Sequence, residues 1–180
     1  MPEFAPMQQV CDILEKLVRD GVIANYGLGG ATAVGFYGEP LATRDIDVFV
    51  FLDPPSGSLL VSLDPIFHYL AERGFDEFEE EGLLVHGYPV QFLTARPGLE
   101  TEALENARRI EWEGHAVRVM TPEHLAAIAL TVGRPKDRAR VVHLVSLSGF
   151  DRSDFDGILD HHNLTPTWLS WSKALGLEND

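Results

Sequence analysis

The spacing of hydrophobic residues predicts both helices and strands over the first 120 residues. In some segments apolar residues recur every three or four positions, as on one face of a helix, and in others they form short continuous runs, as in a buried strand. The predicted helices of this part are 5–20, 31–37, 63–73 and 101–108. The predicted strands are 22–28, 46–52, 83–85, 90–93 and two short strands within 110–120. This order of elements predicts a mixed sheet flanked by helices.

The remainder of the chain contains no pattern that predicts a strand. Thr121-Pro122-Glu123 is a strong helix start, because Thr caps a helix, Pro fits its first position and Glu suits its first turn. Helices are predicted at 123–132, 135–148, 153–161 and 166–175. We therefore predict an α/β (α+β) fold, with a core at 1–120 and a helical C-terminal region at 121–180 packed on that core.

The composition is typical of a globular domain. Of 180 residues, 45% are hydrophobic and 23% charged, which suffices for a core without disulfides or structural metal. Cys11 is the only cysteine, so the chain cannot form an internal disulfide. The N-terminus does not resemble a signal peptide, and no apolar run reaches the roughly 18 residues expected of a membrane span. These features predict a soluble, cytoplasmic protein without a membrane partner.

The charge is strongly acidic, with 14 Lys and Arg against 28 Asp and Glu and a formal net charge of −14. Such a surface disfavours non-specific binding of nucleic acid. The acidic run 76–81 is interpreted as a solvated loop or strand edge. A single basic cluster stands out, formed by Arg134, Lys136, Arg138 and Arg140. Lys136 and Arg140 would share one face of a helix, either to contact phosphate or as a solvated helix start paired with acids.

A glycine-rich turn joins the first predicted strand to the second predicted helix. It reads Gly27-Leu28-Gly29-Gly30-Ala31-Thr32. Glycines let the backbone turn sharply and approach a ligand closely, and the free N–H groups of a helix start favour an anion. The same turn can also join a strand to a helix without any ligand.

Asp45 and Asp47 stand at the head of the next predicted strand. Because side chains alternate along a strand, both carboxylates project on one face. Paired carboxylates repel each other, a cost usually tolerated for a hard cation, and Mg²⁺ fits best because substrate phosphates complete its shell. The alternative is a solvated strand start in which Thr43 and Asp45 form turn bonds. With the glycine turn, the acid pair predicts a pocket for a metal-bound nucleoside triphosphate, in which the carboxylates face Gly29 and Gly30.

The order and spacing of these residues resemble the signature of the nucleotidyltransferase superfamily related to DNA polymerase beta. The pattern is Gly29-Gly30, fourteen intervening residues, and then Asp45-Ile46-Asp47-Val48. The pattern more closely resembles the AbiEii-type nucleotidyltransferases, which are toxins of bacterial toxin–antitoxin pairs, and their uncharacterised relatives. The matching blocks are Tyr26-Gly27-Leu28-Gly29-Gly30-Ala31 with Thr43-Arg44-Asp45-Ile46-Asp47-Val48, and Thr121-Pro122-Glu123-His124-Leu125 with Gly133-Arg134-Pro135-Lys136-Asp137.

This resemblance implies transfer of a nucleotide from a triphosphate to a hydroxyl or phosphate of an acceptor, with two magnesium ions. Asp45 and Asp47 would be the catalytic residues and the metal ligands. The residues that would bind the nucleotide are Gly29, Gly30, Thr32 and Lys136. Asp137 would orient Lys136. The nucleotide and the acceptor stay open, with an RNA or a protein as candidate acceptors, and the toxins of the group make an antitoxin a candidate partner.

Four positions depart from the family pattern. A third carboxylate is usual on the strand that follows the hairpin, and its position is matched by Gln91, whose amide offers a metal one neutral oxygen and no charge. An expected arginine before the acid pair, a lysine on the helix after Glu123 and an acid after Asp137 are matched by Leu41, Ala129 and Arg140. Because catalysis in such a site is mostly electrostatic, these changes support an alternative hypothesis, a degenerate non-catalytic nucleotide-binding or interaction module.

Two other patterns carry less weight. The turn 27–32 with Asp47 twenty residues on imitates a dinucleotide fingerprint, but Thr32 replaces the third glycine. Seven histidines invite a metal site, yet no H-x-x-x-H spacing occurs. His161 and His162 are expected to diverge on a helix. Most histidines are therefore interpreted as surface or capping residues.

Overall fold

The computed structural model describes residues 5–52 and 61–177, which form a seven-stranded mixed sheet and eight helices. The helices are α1 Ala5–Arg19, α2 Gly30–Val34, α3 Asp64–Ala71, α4 Leu99–Glu105, α5 Pro122–Val132, α6 Pro135–Val145, α7 Arg152–His161 and α8 Thr165–Leu175. The strands are β1 Asn25–Leu28, β2 Ile46–Phe51, β3 Phe78–Glu79, β4 Gly82–Val85, β5 Tyr88–Thr94, β6 Arg108–Trp112 and β7 His115–Val119. This confirms the predicted α/β (α+β) fold.

The sheet has the order β3-β4-β5-β2-β1-β7-β6. At its centre, β2 pairs with β1 in antiparallel and with β5 in parallel orientation. Ile46, Val48 and Val50 of β2 are buried to within 2% of full burial, as expected of a strand covered by neighbours. The carboxylate-bearing end of β2 is thus held between two strands.

Several predicted elements begin or end at other residues, and two of them show the reason. The strand predicted at 22–28 begins only at Asn25, because the N–H groups of Val22 and Ile23 donate to the Leu17 carbonyl and belong to the end of α1. The helix predicted at 101–108 is Leu99–Glu105. Arg108 instead begins β6 and pairs with β7.

The C-terminal helices are anchored through α5. Its N-cap is Thr121, whose Oγ1 accepts a hydrogen bond from the His124 N–H at 3.3 Å, as the sequence predicts. Nearly all of α5 is buried, and it packs against α2, α4, α6 and α7. The change from strands to helices coincides with the predicted boundary at 120, although the division into two regions stays a prediction. No helix in the described part of the chain is long and apolar enough to cross a membrane.

Candidate active site

The glycine turn at the end of β1 is tied directly to β2. Gly29 caps α2 in an extended conformation, and its N–H donates to the Asp47 carbonyl at 2.9 Å. Gly30 follows at φ +59°, in the left-handed region that favours glycine. The start of α2 is therefore held beside the strand that carries Asp47.

At both glycines a side chain would clash with a residue of β2. A Cβ on Gly30 would lie 1.8 Å from Oδ2 of Asp47, and a Cβ on Gly29 would lie 2.5 Å from Cε2 of Phe49. The Asp47 carboxylate can occupy its position only because residue 30 has no side chain. The predicted approach of the glycines to this acid is therefore present, and their role in nucleotide binding stays a prediction.

The two carboxylates differ in their surroundings. Asp45 lies just before β2 and is exposed, whereas Asp47 lies on β2 and is half-buried, and both line one pocket. Thr43 Oγ1 donates to Oδ1 of Asp45 at 2.6 Å, so the turn bond of the alternative interpretation is also present. Thr32 Oγ1 donates to the Asp45 carbonyl at 3.0 Å and does not line the pocket. Thr32 therefore holds the approach to β2, and its predicted part in nucleotide binding would be indirect.

Burial raises the pKa of Asp47 above its ordinary value, and the Asp45 carboxylate raises it further. Arg140, Lys136 and Arg134 oppose this shift without cancelling it. Within the described ranges, no donor hydrogen-bonds to the Asp47 carboxylate and no cation lies within ion-pair distance. A half-buried carboxylate beside a second one, with its oxygens left without a protein partner, suits a hard divalent cation. The donor set therefore fits Mg²⁺.

Gln91 on β5 is aligned with Asp47 in the parallel β2–β5 pair. The family resemblance places the third carboxylate at this position. Gln91 Nε2 donates to Oε2 of Glu81 at 2.7 Å, and both residues line the pocket. The acidic run 76–81 is exposed, as predicted, but its last residue also contributes to the pocket. Hereafter Asp45, Asp47 and Glu81 are called the acidic wall.

Three cations from the start of α6 form the basic wall: Arg134, Lys136 and Arg140. Asp137 is fully buried between the arginines, with its Oδ2 2.9 Å from Arg134 Nε and its Oδ1 3.2 Å from Arg140 Nη1. Although burial opposes it, hydrogen bonds from Arg134 hold the pKa of Asp137 below its usual range. The carboxylate therefore orients the two arginines, and within the described residues it forms no hydrogen bond or ion pair with Lys136, the residue it was expected to orient.

The residues of the basic cluster predicted from the sequence lie on different faces of α6. Lys136 and Arg140 share one face and line the pocket, as their spacing predicts. Arg138 faces away, with its Cζ 5.2 Å from the centroid of the Trp171 ring on α8. Lys136 forms no ion pair within the described part of the chain, so its ammonium remains available to a ligand.

The pocket encloses about 680 Å³. Cations and acids line it in equal numbers, in a chain whose formal net charge is −14. Besides the two walls, its lining includes Arg96 and Glu100, which form an ion pair, and the apolar side chains of Leu41 and Ala129. Such a pocket can hold a cation and a polyanion together.

Sequence reasoning did not single out Glu81, Arg96 or Glu100. For Glu81 a signal was present, since the pairing of Leu83 with Val90 places residue 81 close to Gln91 across the hairpin. Arg96 and Glu100 lie four apart, but a salt-bridge spacing just before the predicted helix 101–108 gives no indication of a pocket.

Comparisons with known proteins agree with this fold. No protein-family model and no curated protein matches the chain. Among solved structures, an antigenic nucleotidyltransferase-like protein from Paracoccidioides brasiliensis is similar at a TM-score of 0.57 and 15% identity, covering 96% of this chain and 93% of that one.

The antibiotic-resistance factor ANT(2'')-Ia is also similar in structure. Its solution structure has a TM-score of 0.52 and 11% identity, covering 93% of this chain and 97% of that chain. Its complex with adenylyl-2''-tobramycin has a TM-score of 0.53 and 12% identity, covering 90% and 98%. At this identity the similarity establishes the fold alone, which is nucleotidyltransferase-like.

Proposed function

We propose that the protein transfers a nucleotide from a magnesium-bound nucleoside triphosphate to an acceptor. The observation that carries this proposal is the seating of Asp47 against Gly30, beside Asp45, in one pocket with Arg134, Lys136 and Arg140. The acidic wall suits a metal and the basic wall suits phosphates. The nucleotidyltransferase-like fold of the neighbours supports the assignment.

The chemistry assigns a separate task to each wall. Mg²⁺ held by Asp45 and Asp47 would stabilise the charge that develops on the phosphate oxygens. Arg134, Lys136 and Arg140 would hold the triphosphate and stabilise the leaving group. An acceptor oxygen attacks the α-phosphorus, the bond from this phosphorus to the bridging oxygen breaks, and pyrophosphate leaves. The proton of an acceptor hydroxyl passes to solvent or to a carboxylate of the acidic wall.

Glu81 supplies a third carboxylate to the same site in this proposal. Gln91 occupies the position next to Asp47, and its amide holds the Glu81 carboxylate by a 2.7 Å hydrogen bond. Glu81 immediately precedes β4 and reaches Gln91 on the neighbouring strand β5. Glu81 would then provide the negative charge that is missing at position 91. Glu81→Gln is expected to weaken metal-dependent binding, and the double variant Glu81→Gln/Gln91→Glu to restore it in part.

The two resemblances favour different classes of acceptor. The resemblance to AbiEii-type toxins favours an RNA or a protein acceptor and an antitoxin partner, whereas the complex of ANT(2'')-Ia contains an adenylylated small molecule. All three classes of acceptor are therefore to be assayed with labelled triphosphates. Growth arrest on expression that is lost in Asp47→Asn would support the toxin assignment, and unimpaired growth would oppose it.

Calorimetric titration of ATP, CTP, GTP and UTP with Mg²⁺ tests the proposal directly. We expect binding of at least one triphosphate that is lost without Mg²⁺ and in Asp47→Asn. Asp76→Asn, an exposed carboxylate outside the pocket, is the matched control and should bind as the wild type does. Folded protein that binds none of the four nucleotides would refute the proposal.

A second candidate function is a non-catalytic nucleotide-binding module. It is favoured by one observation, the amide of Gln91 aligned with Asp47 where a carboxylate is expected. Both candidates predict binding, but only the first predicts covalent transfer of labelled nucleotide. Transfer that disappears in Asp47→Asn would exclude the binding module.

A further inference from the structure

Two adjacent histidines converge at the end of α7. His161 is the last residue of the helix and His162 is its C-cap, and their ring centroids lie 4.5 Å apart. The expectation that these side chains diverge is wrong, because it assumed a continuing helix. At the C-cap the backbone has φ −100° and ψ 11°, which departs from helical geometry and lets both rings turn to one side.

Both imidazoles contact the same carboxylate. Oε2 of Glu102, on α4, lies 3.0 Å from Nδ1 of His161 and 2.9 Å from Nε2 of His162. One ligand atom from each of the three residues lies within 4.8 Å of the other two. Ligands of a tetrahedral Zn²⁺ ion are about 3.3 Å apart, given metal–ligand bonds of about 2.0–2.2 Å. The three side chains therefore need only small adjustments to surround one ion.

The carboxylate is held in place from its other side. Oε1 of Glu102 lies 3.3 Å from Nε2 of the buried His124, whose Nδ1 lies 2.8 Å from Thr121 Oγ1. A neutral His124 that donates from Nε2 and accepts at Nδ1 satisfies both contacts. Metal-binding carboxylates are commonly oriented by such hydrogen bonds. The hydrogen bond from His124 therefore fixes the direction in which Oε2 of Glu102 points.

The surroundings attract cations and leave the cluster open to solvent. A shallow depression beside it is also lined by the carboxylates of Asp151 and Asp154. The side chain of Glu102 is 25% exposed and that of His162 is 14% exposed, whereas His161 is 71% exposed. A metal could therefore reach the cluster without unfolding, and water could complete its coordination.

We propose that Glu102, His161 and His162 form a binding site for a zinc-class transition metal ion, distinct from the acidic wall of the pocket. Two imidazoles and one carboxylate are ligands that suit Zn²⁺ and disfavour Mg²⁺, which requires oxygen ligands. The metal would bind His161 through Nδ1, His162 through Nε2 and Glu102 through Oε2. These nitrogens must carry no proton, so their protons move to the other ring nitrogen or to solvent.

The consequence is a link between two parts of the fold. Glu102 lies on α4, beside the sheet, and the histidines end α7 in the helical C-terminal region. An ion bound by all three would join α4 to the end of α7, although Glu102 and His162 are 60 residues apart in sequence. A metal that binds only the folded chain stabilises it by an amount that grows with the logarithm of the metal concentration above Kd.

Titration of tag-free, chelator-treated full chain with Zn²⁺ tests this site. We expect about one equivalent of Zn²⁺ to bind and the melting temperature to rise. An excess of Mg²⁺ should not reduce the affinity for this equivalent of Zn²⁺. Co²⁺ in place of Zn²⁺ should give visible absorption bands characteristic of a low-coordinate site. His161→Ala and His162→Gln should each weaken Zn²⁺ binding at least about tenfold, since even outer-shell changes cost about 10–100-fold.

The controls separate this site from general histidine binding and from the proposed active site. His68→Ala removes an exposed imidazole on α3 outside the cluster and should leave Zn²⁺ affinity unchanged. Because His161 is mostly exposed, its alanine variant should fold, and circular dichroism verifies this. Asp47→Asn should leave Zn²⁺ binding intact. The proposal is overturned if the wild type binds no Zn²⁺, or if His161→Ala and His162→Gln both bind Zn²⁺ as strongly as the wild type does.

Discussion

The two charged walls of the pocket are built in opposite ways. The Asp47 carboxylate of the acidic wall stands beside Asp45 without a hydrogen-bond partner from the described residues, and burial raises its pKa. In the basic wall, Arg134 and Arg140 are both held by the buried Asp137 carboxylate. One wall carries uncompensated charge and the other is internally neutralised in part.

This difference indicates what each wall contributes to a ligand site. Uncompensated carboxylates destabilise the folded chain and gain most from an added cation. Arginines already oriented by an acid lose little conformational entropy when a phosphate binds. The comparison therefore favours a ligand that brings its own metal and several phosphate charges.

Neutralising Asp45 and Asp47 of the acidic wall is expected to have the largest effect on activity. Asp45→Asn/Asp47→Asn should lower metal-dependent nucleotide transfer by about 10³-fold or more, because electrostatic stabilisation dominates such chemistry. Burial raises the pKa of Asp47 in the folded state, so removing its charge should leave the stability at pH 7 unchanged or increased. Transfer kinetics and urea denaturation check both results. A loss of stability would contradict our description of this wall.

Neutralising the acid of the basic wall should act on stability instead. Asp137→Asn should lower the free energy of unfolding at pH 7 by about 2 kcal/mol, because it removes a buried charged acceptor from two arginines. The folded-state pKa of Asp137 is depressed, so its contribution is complete above the unfolded pKa of about 3.9 and is lost as pH falls through the folded value.

Urea denaturation between pH 7 and pH 3 measures this dependence. The difference between wild type and Asp137→Asn should be constant above about pH 4 and should shrink below it. Asp156→Asn removes an acid from an exposed pair with Arg152 and should change stability by less than about 0.5 kcal/mol. If the stability difference between wild type and Asp137→Asn stayed the same from pH 7 to pH 3, the charge of Asp137 would not be the cause of the difference.

Adding one methyl group at Gly30 should show whether nucleotide binding needs the close approach of this residue to Asp47. A second glycine at positive φ, Gly21, controls for the backbone strain that the same change causes. Gly30→Ala and Gly21→Ala both place a side chain at positive φ, at +59° and +72°, and each should cost about 1 kcal/mol of stability. Only at Gly30 would the new Cβ meet the Asp47 carboxylate. Calorimetry should therefore show at least about tenfold weaker Mg²⁺-nucleotide binding for Gly30→Ala alone, equivalent to about 1.4 kcal/mol.

The smallest effect is expected from the unpaired cation of the basic wall. Lys136→Met should raise the Kd for triphosphate about tenfold, since it would remove the phosphate contact proposed for this exposed ammonium. Arg138→Met on the same helix is the control, because Arg138 packs over Trp171 and does not line the pocket. Equal effects of the two variants would indicate attraction by overall charge and would remove the special role of Lys136.

Much of the fold could be predicted from the sequence because its signals are local. The Thr121-Pro122-Glu123 start, the Val- and Phe-rich strand β2 and the glycine turn each place an element within a few residues of its true bounds. The errors also have local causes. Val22 and Ile23 look like strand residues, but their N–H groups complete the end of α1, and such a competing hydrogen bond is invisible in a hydrophobic pattern.

Most of the candidate site that the residues alone could predict lies close together in sequence, whereas the place of Lys136 in it came from the family resemblance. Gly29, Gly30, Asp45 and Asp47 lie on adjacent elements, and their approach follows from a strand, a turn and a second strand. Glu81 reaches the pocket through hairpin register, which the sequence permits but does not require. The spacing separates Arg138 from Lys136 and Arg140, but only the structure showed that Arg138 packs over Trp171 while the other two line the pocket.

By itself the sequence determined the pairing of Asp45 and Asp47 beside the glycine turn, since two carboxylates at strand spacing and a glycine pair leave few other arrangements. Tertiary structure alone decided the partners of Asp137, the entry of Glu81 into the pocket, and the meeting of Glu102 with His161 and His162. The physical reason is the range of the interactions. Strand alternation and turns act over a few residues, whereas a contact such as that between Glu102 and His162 depends on how whole helices pack.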